Sequence, residues 1–231
     1  MDYSKFGVEW ANLWTQVAPE DSKRLEDFMT HGKRVGLTNW WGIEPLQYPN
    51  DLFVWQRITS VADPLIAVMN SMTLPEFNIR LNATGGLYCE MKKIIEAIQA
   101  HPSTINTVIS GFVGSAVSVI AMSGAKVYAA KDAFFMIHGS YPDPELSHLP
   151  TQDKEECDVF AAGVLHKKSG IPKEVIRDWM QEERLFTARE SLQLGFVDEL
   201  LPAEQWCAEE NIEGFSFLNA LALSVAGVAA G

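Results

Sequence analysis

The chain has 231 residues, of which 47% are apolar and 21% charged, a composition that builds a packed core and excludes a disordered segment. Its net charge of −12 excludes a phosphate-backbone binder, which needs a basic face, so no nucleic-acid partner is expected. Cys89, Cys157 and Cys207 are odd in number and far apart, with no CxxC and no Cys/His pair. They point to a reduced, cytoplasmic setting and away from a structural zinc.

In chain order, residues 1–50 read as a helical extension followed by a connector. Phe6, Trp10, Leu13, Trp14 and Val17 recur at helical spacing, Pro19 closes that helix, and Asp21 opens a second one running to His31. The aromatic stripe is either an ordinary buried face or a subunit contact. MDYSKFGVEW has no basic stretch leading into an apolar run, so no signal peptide is read there.

From Asp51 the pattern alternates: strand Leu52–Gln56, helix Val61–Met72, strand Phe77–Asn82, helix Leu87–His101, strand Thr104–Ser110. Short strands separated by helices of this length predict βα crossovers and a mainly parallel sheet, hence an α/β fold. The strand ending at Ser110 is expected to break at Gly111 into a small-residue turn. A charge-free helix follows from Ser115 to Met122, and a β-rich return from Lys126 to Ile137 ends on His138. Beyond a Pro-rich loop come helices Gln152–Lys168 and Lys173 to about Glu183, then Ala188–Leu194 and a short strand, Asp198–Leu201. The main domain is taken as 51–205. The apolar tail 206–231 carries Phe215–Gly231, a stretch shorter than the ~20 residues of a membrane span and interrupted by Ser216, Asn219 and Ser224. It reads as a packed or oligomer-docking tail, with membrane attachment as the alternative.

Three features carry chemistry. Gly85-Gly86 follow an apolar strand and open a helix, where backbone N–H groups can face a reacting oxyanion. No GxGxxG or GxxxxGK[ST] is present, so a phosphate loop is not indicated. Ser115 stands at a tight strand-to-helix junction, and His138 closes a later strand. A serine hydroxyl needs a base to take its proton, and histidine is the usual one. His31, His101, His148 and His166 have no partner at metal-ligand spacing, and neither a metal nor an organic cofactor is expected.

Taken together, the Gly-Gly turn, the GxxxSA turn of Gly111–Ala116 and Met136-Ile137-His138 resemble the Clp protease (ClpP) family of serine peptidases. The Ser115–Gly124 stretch is most similar to the ClpP-like head maturation proteases of tailed phages. The resemblance covers about Asp51 to Leu201. It implies the ClpP/crotonase-type spiral of ββα units, with Ser115 as nucleophile and His138 as general base. It further implies an oxyanion hole from the N–H of Ala116 and one of Gly85 or Gly86, and helix Gln152–Lys168 as the element through which two rings meet. The implied partners are polypeptide substrates and other copies of the chain in a seven-membered ring. Capsid or scaffold proteins would be processed in the phage branch, whereas an AAA+ unfoldase would feed the chamber in the housekeeping branch. The third triad member departs from the pattern. Counting back from Ala188 lands on Trp179 or Gln181, so Asp178, the only Asp in that segment, is favoured, with Glu182 and Glu183 as alternatives. Two other readings stand beside this one. The first is a catalytically weak ring subunit, motivated by the displaced acid. The second is a crotonase-type acyl-CoA enzyme, which the Ser/His pair disfavours.

Overall fold

The computed structural model describes residues 15–34, 41–43, 51–55, 57–141 and 153–202. Most of the first expected helix, of the connector and of the Pro-rich loop, and the apolar tail, lie outside these residues. Helix α1 spans Pro19–Arg34. Pro19 opens this helix, because a ring-fixed φ and a missing N–H do no harm in a first turn.

An eight-stranded sheet organises the rest. Its main path runs β1 (Trp41–Ile43), β2 (Asp51–Val54), β3 (Glu76–Ala83), β4 (Thr104–Gly114), β5 (Val127–Ala130) and β8 (Glu199–Leu201). β2, β3, β4, β5 and β8 pair in parallel, as the alternating pattern predicts. β1 is the exception: it lies in the stretch read as a connector and pairs antiparallel with β2. Helices α2 (Ala62–Ser71), α3 (Tyr88–Ala100) and α4 (Ala116–Ala121) are the crossovers. Their apolar stripes meet one sheet face, so that Leu65, Ile94, Ile95, Val117 and Ile120 share a core with Ile79, Leu81, Ile105 and Ile109. Helices α5 (Lys154–Ser169), α6 (Lys173–Gln181) and α7 (Ala188–Gln193) complete the helices of the described residues, and Leu165, Ile176 and Met180 join the same core.

β4 does not break at Gly111. It continues to Gly114 because Thr107–Ile109 pair with β5, while Phe112–Gly114 pair with β6 (Phe134–Met136). The change of partner is accompanied by a register shift against β3 between Leu81 and Ala83, where the Asn82 side chain accepts the Phe112 N–H at 2.8 Å. β6 then pairs antiparallel with β7 (Leu185–Thr187), a strand too short to show in the sequence pattern. The β4–β6–β7 corner has its own small core of Phe112, Phe134 and Met136, closed by fully buried Leu25 from α1. Among the described residues, no helix is long and apolar enough to cross a membrane.

Candidate active site

Ser115 lies between the end of β4 and the start of α4 with φ 56° and ψ −128°. A left-handed serine is strained, and such strain persists only where the surroundings impose it. Here they do. Its N–H donates to the Met136 carbonyl at 3.2 Å, and the buried Ser118 hydroxyl, one helical turn on, donates to the same carbonyl. On the other side, the Thr107 hydroxyl holds the Ala121 carbonyl at 2.5 Å and so ties the far end of α4 to β4. The end of β6 is thereby fixed to the nucleophile turn, and His138 follows Met136 by two residues. Ser115 and His138 are thus both tied to the end of one strand.

The His138 imidazole is half-buried, with Nε2 sealed from solvent. Nδ1 lies 2.6 Å from the Gly139 carbonyl. A carbonyl can only accept, so Nδ1 carries the proton and Nε2 keeps the lone pair that a general base requires. The ring stacks on Tyr141 at 4.7 Å between centroids. Burial pulls the imidazole pKa below its ordinary value. The Gly139 bond and the charges of Glu183 and Asp158 oppose that shift, while Lys154 adds to it. Near neutral pH the group is therefore an uncharged base.

The Gly-Gly turn closes on the serine. A Cβ on Gly85 would lie 2.6 Å from Ser115 Cβ and 3.1 Å from Oγ, so only glycine lets this backbone approach so closely. Both glycines take positive φ, 129° and 150°. Ile58 pins the turn, donating to the Gly85 carbonyl and accepting from the Leu87 N–H, each at 2.7 Å. That pairing does not use the amide of Gly86. Ala116 opens α4, and a first-turn N–H has no intrahelical acceptor. Ala116 and the glycine pair thus flank Ser115 from two elements.

Asp178 is not brought to this site. It is exposed on α6, whose buried residues are Ile176 and Met180. Glu182 is also exposed. Glu183 is half-buried, and its charge is the first of the neighbouring charges acting on His138. The chain leaves α6 at Glu182 and turns through Glu183 at φ 53°. It then runs beside the histidine, with the Arg184 carbonyl accepting from Ile137 N–H at 3.0 Å and the Met180 carbonyl from Gly139 N–H at 2.8 Å. Among the described residues, Ser115 and Glu183 are the two non-glycine residues with positive φ. The sequence reading also missed Asp158 and Tyr141. Asp158 of α5 is buried, accepts the Ser140 N–H and the Lys154 ammonium at 2.6 Å each, and has its carboxyl held below the usual range by them against the opposing effect of burial. Its sequence signal was an acid one turn from a lysine on a helix, which reads as an ordinary surface pair. No group of His, Cys, Asp and Glu among the described residues is arranged to hold a metal ion.

A mainly parallel α/β sheet that ties a strained serine and a neutral histidine to the end of one strand, with a glycine pair packed against the serine, is an arrangement that serine hydrolases use. The Clp protease family model matches residues 54–204, and the chain belongs to that family. Among its curated relatives is ATP-dependent Clp protease proteolytic subunit 2 of Streptomyces coelicolor, 25% identical over 54% of this chain and 61% of that protein. Proteolytic subunit 3 of Frankia casuarinae is 24% identical over 54% of this chain and 62% of its own length. The matched part thus spans under two thirds of these relatives. The ClpP catalytic domain of Plasmodium falciparum superposes with a TM-score of 0.59 at 23% identity, covering 71% of this chain and 90% of that one. The fold is therefore the ClpP type.

Proposed function

We propose that the protein is a serine endopeptidase of the Clp protease type. Ser115 Oγ attacks a peptide carbonyl while His138 Nε2 takes its proton, and the resulting oxyanion is met by the amides of Ala116 and of Gly85 or Gly86. Collapse breaks the C–N bond, and the departing amine leaves with the proton from His138. Water then attacks the acyl ester with His138 again as base, releasing the acid and restoring Ser115. Glu183 is the acid that stabilises the imidazolium, in place of Asp178. The observation that carries this reading is the shared anchoring of Ser115 and Ser118 on the Met136 carbonyl, two residues before a histidine whose Nδ1 is already protonated.

The biological setting proposed is processing of capsid or scaffold proteins in phage head maturation, by a ring of seven protomers with α5 as the ring-to-ring element, in a cytoplasm or a prohead. The Ser115–Gly124 resemblance supports it, as does a docked N-terminal helix outside the matched region. The relatives' names describe subunits of an ATP-dependent protease, and that is the competing setting. Intact-mass spectrometry after fluorophosphonate treatment tests the chemistry. One adduct is expected on the wild type and none on Ser115→Ala or His138→Ala, whereas an unlabelled, folded wild type would overturn the protease reading in favour of a structural ring subunit. Cleavage of co-expressed capsid protein with no ATPase present would separate the two settings.

A further inference from the structure

Resting on the protease reading, we propose that Gln16, in the N-terminal extension, is a positioning residue that holds the Glu183 turn in the conformation presenting its carboxylate to His138. The extension reaches this turn directly. Gln16 Nε2 donates to the Glu183 carbonyl at 3.0 Å, and Gln16 Oε1 accepts the Leu185 N–H at 2.9 Å. One side-chain amide thus behaves as a peptide group, bracketing Arg184 and covering the edge of β7, whose backbone would otherwise face outward.

The turn needs such support. A helix that ends on a left-handed residue normally uses glycine or asparagine there, whereas this chain uses glutamate. On the helix side, the turn is held by two long bonds, from Glu183 N–H to the Met180 carbonyl at 3.3 Å and from Arg184 N–H to the Trp179 carbonyl at 3.2 Å. The Gln16 bond to the Glu183 carbonyl is shorter than either and comes from another segment of the chain. Gln16 is itself anchored: Val17 and Leu185 pack on the cluster of Leu25, Phe112, Phe134 and Met136. Leu25 is fully buried, and Arg24 lies over the Phe134 ring at 5.3 Å. α1 therefore docks on β4 and β6, the two strands that end at Ser115 and His138. Gln16 lies well outside the region that the family model matches, so this support is an addition of this chain to a shared site.

Among the described residues, the groups acting on His138 include Glu183 from the α6–β7 turn, Asp158 and Lys154 from α5, the Gly139 carbonyl, and the Tyr141 ring. If Gln16 is lost while the α5 pair stays, the Glu183 carboxylate leaves and His138 becomes harder to protonate. The acid limb of the reaction then moves to lower pH as the rate falls. A purely structural role for Gln16 would lower the amount of folded protein and leave that limb in place.

The test is the rate of fluorophosphonate labelling of the full chain at Ser115, followed over about pH 5 to 9. The variants are Gln16→Ala, Gln16→Glu, Glu183→Gln and the Gln16→Ala/Glu183→Gln double. Gln16→Ala is expected to lower the plateau on the order of 10- to 100-fold and to shift the acid limb downward. Gln16→Glu, which can accept from Leu185 but cannot donate to Glu183, is expected to fall between it and the wild type. It also serves as the deciding variant should Gln16→Ala fail to fold. The double variant should be no slower than Glu183→Gln alone, since both changes act through one carboxylate. A Gln16 variant that folds and labels with the wild-type rate and pH profile overturns the positioning role alone. So do Gln16 and Glu183 effects that multiply. A wild type that takes no label at Ser115 overturns this proposal together with the protease reading.

Discussion

Gly85→Ala probes how closely the glycine turn approaches the nucleophile. The added Cβ would stand 2.6 Å from Ser115 Cβ, where carbon atoms prefer about 3.5–4.0 Å, so one of the two backbones must yield by roughly 1 Å. Gly85 cannot retreat, because its carbonyl is held by Ile58 N–H at 2.7 Å, and a Cβ on the next residue would already be 2.1 Å from the Ile58 carbonyl oxygen. Its φ of 129° adds strain of about 1–3 kcal/mol for any residue with a side chain. The displacement therefore falls on Ser115. A shift of that size in a reacting atom lowers rates on the order of 100-fold. Labelling by a fluorophosphonate should fall by that factor, and urea denaturation should show a loss of about 1–3 kcal/mol. An alanine variant that folds and labels at the wild-type rate would mean that the turn does not press on Ser115 in solution, and the oxyanion assignment to this pair would fall with it.

Three further changes test the electrostatics and the frame. Asp178→Asn should leave labelling near the wild-type rate, whereas Glu183→Gln should slow it on the order of 10²-fold or more; the reverse ranking would restore Asp178 as the acid. Because burial sets the His138 pKa below its ordinary 6.5, labelling should persist below that pH. The same burial makes a pH-dependent stability contribution, since the unfolded state binds the proton first. That contribution is complete above the ordinary value and is lost as pH falls through it toward the lowered one, which urea titrations at stepped pH would show. Arg80→Ala removes the cationic partner of Asp51, which is buried at 4% exposure and also accepts from the Asn78 amide at 2.7 Å, so a loss of about 3–5 kcal/mol is expected from chemical denaturation.

Alternation of apolar runs with helical periods was enough to predict the parallel strands β2 to β5 and the helices between them, because burial of one helix stripe and of whole strands writes itself into local order. Ser115 and His138 were legible for a related reason: each lies where an apolar run ends. What failed was whatever depends on a distant partner. Gly111 reads as a breaker, yet Phe112 and Val113 have β6 to pair with, and strand pairing overrides the local signal. β1 and β7 are three residues long, too few for a period of two to declare itself.

The acid is the sharpest case. Counting positions assumes that α6 keeps a regular helical phase up to β7, and Asp178 is the residue that assumption favours. The chain instead leaves the helix at Glu182 and reverses through a left-handed, half-buried glutamate, Glu183, while Asp178 stays exposed. No glycine or asparagine marks that reversal. Part of what holds it is Gln16, 167 residues earlier in the chain. A local window cannot contain that bond. On the proposal above, the conformation of the Glu183 turn depends in part on a residue that lies outside the family match. Sequence positions within the shared region offered Glu183 only as an alternative to Asp178.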